Sequence, residues 1–148
     1  MAGAFTTLAI LDGGGVSRTM RVWDESGTGA GPFSFVNYGV ATLATSALAA
    51  SLVLKASAGA LYGFDVAADS ALSMAPWWLM IFNAASAPAD GAVTPAKVYA
   101  FPAGTLGYAA SWGIAPLPFS TGITLVVSTT GPFTKTGSAH AFISGDYQ

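Results

Sequence analysis

The side chains that could carry nucleophilic or general-base chemistry are few. His140 is the only histidine, and serines and aspartates are scattered around it. A Ser/His/Asp set needs a base within hydrogen-bond reach of the nucleophile and a carboxylate that orients the base. Asp146 follows His140 in the same stretch, but any serine can be chosen to complete the set, so the spacing selects no nucleophile. His140 reads better as a strand residue, with Ala139, Ala141 and Ile143 alternating against His140, Phe142 and Ser144. Asp12-Gly13-Gly14-Gly15 has the glycines of a phosphate-cradling loop, yet neither a Gly-Lys-Ser/Thr ending nor a helix follows. Gly27 to Gly31 also lacks the lysine and ends in Pro32. Asp24 and Glu25 are adjacent, so an extended chain sends them to opposite faces and they form no paired-carboxylate site. Joined to Asp12 or to carbonyls of the glycine loop they could hold calcium, but the EF-hand spacing is absent and solvated turn charges fit better. No catalytic residue, cofactor or metal is expected.

Trp77, Trp78, Trp112 and the tyrosines could build a sugar-stacking platform. Adjacent tryptophans of one strand point to opposite faces, so Trp77 and Trp78 cannot line one groove. Core packing or a subunit contact, where aromatics are enriched, suits Trp77, Trp78 and Trp112 better. The stretch around the first two organises the chain. Trp77 to Phe82 is six large apolar residues without a polar break, between Pro76 and the small polar set Asn83 to Ser86. It reads as a strand buried on both faces, with Trp77, Leu79 and Ile81 one way and Trp78, Met80 and Phe82 the other. Both faces need cover, which a second sheet or a subunit interface must supply.

Strands recur around it. Phe5–Leu11 and Ser17–Trp23 form a hairpin across the glycine turn, and Phe33–Tyr38 follows a long loop. Residues 39–50 carry no charge and no clear period, and are expected to be a linker with helical tendency. From Ser51 onward, strands at Ser51–Ala56, Leu61–Val66, Trp77–Phe82, Val93–Phe101, Gly107–Ile114, Ile123–Ser128 and Ala139–Ser144 are separated by Gly, Pro, Asp and Ser turns. Pro116 and Pro118 argue against a central strand at Leu117. No capped helical pattern is visible in this half. The expected fold is all-β: an antiparallel, jelly-roll-like β-sandwich over 51–148 with an extended N-terminal β-arm over 1–38.

Composition limits the function classes. Hydrophobic residues are 53% and charged residues only 8% of the 148, against about 25% charged in ordinary domains. A monomer of this size exposes about 7,000 Å². Its five basic and seven acidic residues therefore leave one charge per ~600 Å², as large as the largest apolar patch of a typical monomer. Much of that surface is expected to be Ala, Ser, Thr and Gly, and part of it covered by copies or partners. Net charge −2 provides no basic field for nucleic acid. The absence of cysteine excludes disulfide scaffolds, thiol catalysis and zinc-ribbon sites. Mean hydropathy is +0.57, but Ser70, Ser73, Pro76, Asn83, Ser86 and Pro88 interrupt the longest uncharged stretch, so no membrane span is expected. Met1-Ala2-Gly3-Ala4 offers no basic n-region or apolar h-region, and synthesis in the cytoplasm is expected.

Four motifs in register carry a resemblance: Met20 to Gly27 with Gly31-Pro32-Phe33; Lys55 to Gly63; Leu79 to Phe82 followed by Asn83 to Pro95; and Phe119 to Ile123 with Ser128 to Thr136 and Ser144-Gly145-Asp146. In this order, across most of residues 18–146, the chain resembles small virion proteins of tailed bacteriophages, common in phages of α-proteobacteria. The resemblance implies a non-enzymatic β-sandwich of the virion, and no functional residue is carried over with it. A capsid decoration (cement) protein, homotrimeric and bound to the major capsid protein, is the expected function. A tail or fibre module binding host carbohydrate is the alternative, and a small hydrolase ranks below both. Arg18 and Arg21, the only arginines, stand with Trp23, Asp24 and Glu25 in one short stretch, and this group is expected to contact the partner because arginine suits interface ion pairs. A solvated hairpin edge explains the same charges equally well.

Overall fold

Turn-bounded alternation becomes, among the described residues, thirteen strands and one helical turn. The computed structural model describes residues 4–11, 17–24 and 39–148. The chain divides into two compact units, Met1–Asn37 and Tyr38–Gln148. In the first, β1 (Ala4–Leu11) pairs antiparallel with β2 (Ser17–Asp24), Leu8 opposite Met20. The expected strand at Phe33–Tyr38 and the glycine loop at Asp12 lie outside the described residues.

The second unit is a two-sheet sandwich. One sheet runs β9 (Gly107–Ser111), β5 (Gly59–Ala68), β13 (Ala141–Tyr147), β3 (Ala41–Ala44), and the short β10 (Leu117–Phe119) continues the β9 side. The other runs β4 (Ser51–Lys55), β11 (Ile123–Ser128), β6 (Trp77–Asn83), β8 (Lys97–Phe101). Numbering these eight long strands in chain order, β10 aside, gives sheets 1-8-3-6 and 2-7-4-5, the two interleaved Greek keys of a jelly roll. The all-β, jelly-roll-like expectation therefore stands for this unit. Two two-residue strands, β7 (Gly91–Ala92) and β12 (Thr134–Lys135), pair with each other outside both sheets.

Between the sheets lies the main core: Leu61, Phe64, Val66, Trp77, Leu79, Ile81, Ile123, Leu125, Val127 and Ile143, all buried. Every second residue of β6 and β11 enters it, as period-two alternation requires.

Two expectations need correction. Residues 39–50 are no helical linker. They supply edge strand β3, registered Leu43 to Gly145, and a bridge from Ala49 to Ala141. Their helix-permissive Ala and Leu lose to the unpaired edge of β13, because strand formation follows the partner available. A single helical turn, α1 (Ser70–Ser73), stands where no helix was expected, capped by Asp69, whose side chain accepts from the Leu72 N–H. Pro116 and Pro118 do not prevent a strand at Leu117, but β10 lies on an edge, where proline is tolerated.

Candidate functional site

The second face of β6 is the most elaborate surface of the sandwich. Met80 and Phe82, with Val126 from β11, form a separate buried cluster against Trp78, Ala84, Val93 and Val98. The long connections after β6 and β11 fold across this face and are joined where β7 meets β12, Thr134 opposite Ala92 and Lys135 opposite Gly91. The two-faced strand thus finds its cover within its own chain, and its apolar face is no argument for a subunit contact.

Polar groups under this flap are satisfied locally. Thr124 Oγ1 donates to Ala84 C=O at 2.7 Å, and Ser128 Oγ donates to Thr130 C=O at 2.6 Å while accepting from Thr136 N–H. Lys135, 7% exposed, directs its ammonium to the Asp90 carboxylate, which also accepts from Gly137 N–H at 3.1 Å. These bonds, the lysine's first, hold the Asp90 carboxyl below the usual carboxylate range. Gly131 lies against the indole of Trp78, where a Cβ would fall 2.7 Å from Cγ, so any larger residue forces the ring or the backbone to shift.

Beside the flap, Phe82, Ala84, Pro88, Val93 and Pro95 line a groove of about 500 Å³. Asn83 also lines it, its Nδ2 donating to Ser120 Oγ and its Oδ1 accepting from Thr121 N–H. The groove lining has no titratable side chain. It can accommodate a small apolar group, but its side chains offer no acid, base or charged metal ligand.

The other titratable pair among the described residues is His140 and Asp69, Nδ1 to Oδ2 at 2.8 Å. His140, expected as a strand residue, lies just before β13, and Ala139, expected on the buried side, is exposed like His140. The alternation begins only within β13, where Ala141 and Ile143 are buried and Phe142 faces out. Asp69 is held below its usual range by the Leu72 N–H first and by His140 second. The carboxylate caps α1 while pairing with the imidazole, which is a structural use of both groups. Among the described residues no three His, Cys, Asp or Glu side chains gather as metal ligands.

The aromatic candidates divide. Trp77 is fully buried, with Nε1–H on Thr105 C=O at 3.1 Å. Trp78 is partly buried under the flap. Trp112 packs on Phe64 with ring centres 5.9 Å apart. It belongs to a row with Tyr99, Phe101 and Tyr108 along the β8–β9 side of the sandwich, where burial, then Tyr108, pushes the Tyr99 phenol up. Arg18, Arg21, Trp23 and Asp24 occupy β2, opposite Ile10, Thr7, Phe5 and Ala4 of β1. Glu25 lies outside the described residues. Sequence reasoning missed the Asp90–Lys135 pair and the groove, since no local pattern joins residues 90 and 135. No family model, curated protein or solved structure matches the chain.

Proposed function

We propose that the chain is a structural protein of a tailed-phage virion, a decoration protein that binds the major capsid protein and self-associates, most economically as a trimer. The observation that supports it best is the jelly-roll strand order of the second unit, an architecture recurrent in capsid proteins, carried by a chain with 8% charged residues. Fold analogy alone is a weak guide to function, and the site chemistry adds to it. The titratable pairs cap a helix and pin a flap, and the groove carries none. Low charge density reduces repulsion between crowded copies. The β1–β2 hairpin is the proposed capsid contact. Its two described strands pair only with each other, and a two-stranded ribbon gains stability from further packing.

The alternative, a tail or fibre module binding sugar, would rest on the aromatic row at Tyr108, because Trp77 and Trp78 are committed to packing. Copy number in purified particles separates the two: hundreds for decoration, a few to tens for a fibre. The direct test is co-sedimentation with undecorated shells. The full chain should saturate them, and residues 38–148, folded by circular dichroism, should not. Saturation by the shortened protein would move the contact into the sandwich and remove the role proposed for Arg18 to Glu25.

A further inference from the structure

The two sheets treat their edges differently. Edge strands expose unpaired backbone groups, and proteins blunt them with lysine, proline or a bulge. In the β4-β11-β6-β8 sheet both edges are blunted. β4 ends in Lys55 and carries a register irregularity opposite Ile123 and Thr124, while β8 begins at Lys97 between Pro95 and Pro102. In the other sheet, β9 reads Gly-Tyr-Ala-Ala-Ser and β3 reads Ala-Thr-Leu-Ala, with no charge, proline or bulge. Among the described residues β9 pairs only with β5, and β3 only with β13.

The direction of their free backbone groups follows from the bonds they make. Ala68 N–H to Leu106 C=O and Trp112 N–H to Tyr62 C=O bracket β9. Antiparallel alternation then turns Gly107, Ala109 and Ser111 outward. Thr45 N–H to Ile143 C=O fixes β3 in the same way and turns Thr42 and Ala44 outward. Exposed apolar side chains gather at the same edges: Val40 and Leu43 at β3, Leu106 and Tyr108 at β9. Leu43, opposite Gly145, and Tyr108, against Phe64, lie on the core-facing side.

We infer that this sheet continues from one copy of the chain to the next, β9 of one pairing antiparallel with β3 of its neighbour. Three antiparallel pairings separate the two strands, so they run in opposite directions. Rotation of a copy about an axis along the strands preserves those directions, and the two edges meet antiparallel. Pairing β9 with β9 would leave β3 open. Pairing β9 with β3 around a closed ring leaves neither edge open and is the heterologous contact that builds cyclic oligomers. The occupant is a second copy, since its edge offers the matching ladder and brings no charge.

The inference rests on the self-association in the proposed function, and sedimentation velocity of the full chain tests the two separately. Ala109→Pro and Ala44→Pro remove only outward N–H groups and cost no bond to β5 or β13; Ala109→Ser keeps the N–H. Wild type and Ala109→Ser should sediment as one oligomer at micromolar concentration, and both proline variants as monomers with unchanged circular dichroism. Ala109→Lys, which charges the edge without altering the backbone, should also be monomeric and serves if a proline unfolds the chain. A monomeric wild type overturns the self-association itself. An oligomer that survives every edge variant overturns the edge pairing alone, and dissociation by substitutions in only one of the two strands overturns the β9–β3 ring.

Discussion

The two sheets of the sandwich share one core but differ on their outer sides. Over β6 and β11 the chain spends two long connections, a minor sheet and an ion pair to bury Met80, Phe82 and Val126. Among the described residues of the second unit nothing comparable covers β5 and β13: Asp65, Ala67 and Phe142 face out, with Ala109 of β9 beside them. The sequence composition follows the difference. The sealed sheet needs large residues at successive positions, and the bare one alternates large with small. The strand face sealed within its own chain is not available for pairing, so the self-association proposed above is assigned to the other sheet and its edges.

Matched substitutions on the two outer faces give the largest contrast. Val126 is fully buried under the flap. Val126→Lys places an unpaired charge there and should cost more than about 4 kcal/mol, enough to prevent folding. Ala67→Lys, exposed between Phe142 and Gly107, should change stability by less than about 0.5 kcal/mol. Urea denaturation of both reads the difference, and comparable losses would mean that the bare face is not bare.

Trp77→Ala comes next, at about 3–5 kcal/mol by the same assay, since a fully buried ring leaves a cavity. Trp78→Ala should cost less, and its effect should appear as faster amide exchange over residues 129–137, because its ring packs under the flap at Gly131. Equal losses for the two with unchanged exchange would break the distinction between the shared core and the private one.

Much of this contrast was legible in residues 77–82, where six apolar residues alternate between two cores as the sequence implied. The strand at Ile123–Ser128 matched to the residue. Turn chemistry located most other strands, although Pro95 shortened β8 to Lys97–Phe101. The flap was not legible. β7 and β12 are two residues each, too short to show a period, and Lys135 in Phe-Thr-Lys-Thr looks like any solvated loop lysine. Nor could β3 be seen, because Ala-Thr-Leu-Ala becomes a strand only beside β13, about a hundred residues later. Pairings between distant segments leave no local signature, and the flap, the groove and the bare edges all arise from such pairings.

A smaller effect tests how tightly the flap is closed. Gly131→Ala brings a Cβ within 2.7 Å of the Trp78 ring. Either the indole or the 129–133 backbone must shift, at a cost of about 1–3 kcal/mol. Double substitution with Trp78→Ala should recover most of the loss, since the clashing partner is gone. Full additivity of the two would show that the flap does not rest on this ring.

The smallest effect is that of acid on the flap. The Asp90 carboxyl is lowered from the ordinary value of 3.8, first by Lys135 and then by the Gly137 N–H. A group depressed in the folded state contributes stability that is complete above its unfolded pKa and is lost as pH falls through the folded one. The flap should therefore be insensitive to pH from neutrality down to about pH 5 and loosen progressively below 3.8. Asp90 is largely exposed, so solvent limits the effect, but Lys135 is not, and protonating Asp90 leaves a buried ammonium without its counter-charge. Amide exchange at residues 91–92 and 134–135 should accelerate in that window before the main core changes. In Asp90→Asn the acceleration should be present at neutral pH and the acid dependence at these residues should disappear. Acid loosening of the same size in Asp90→Asn would assign it to other carboxylates, such as Asp69, the N-cap of α1, whose depression by the Leu72 N–H and His140 predicts the same pH window.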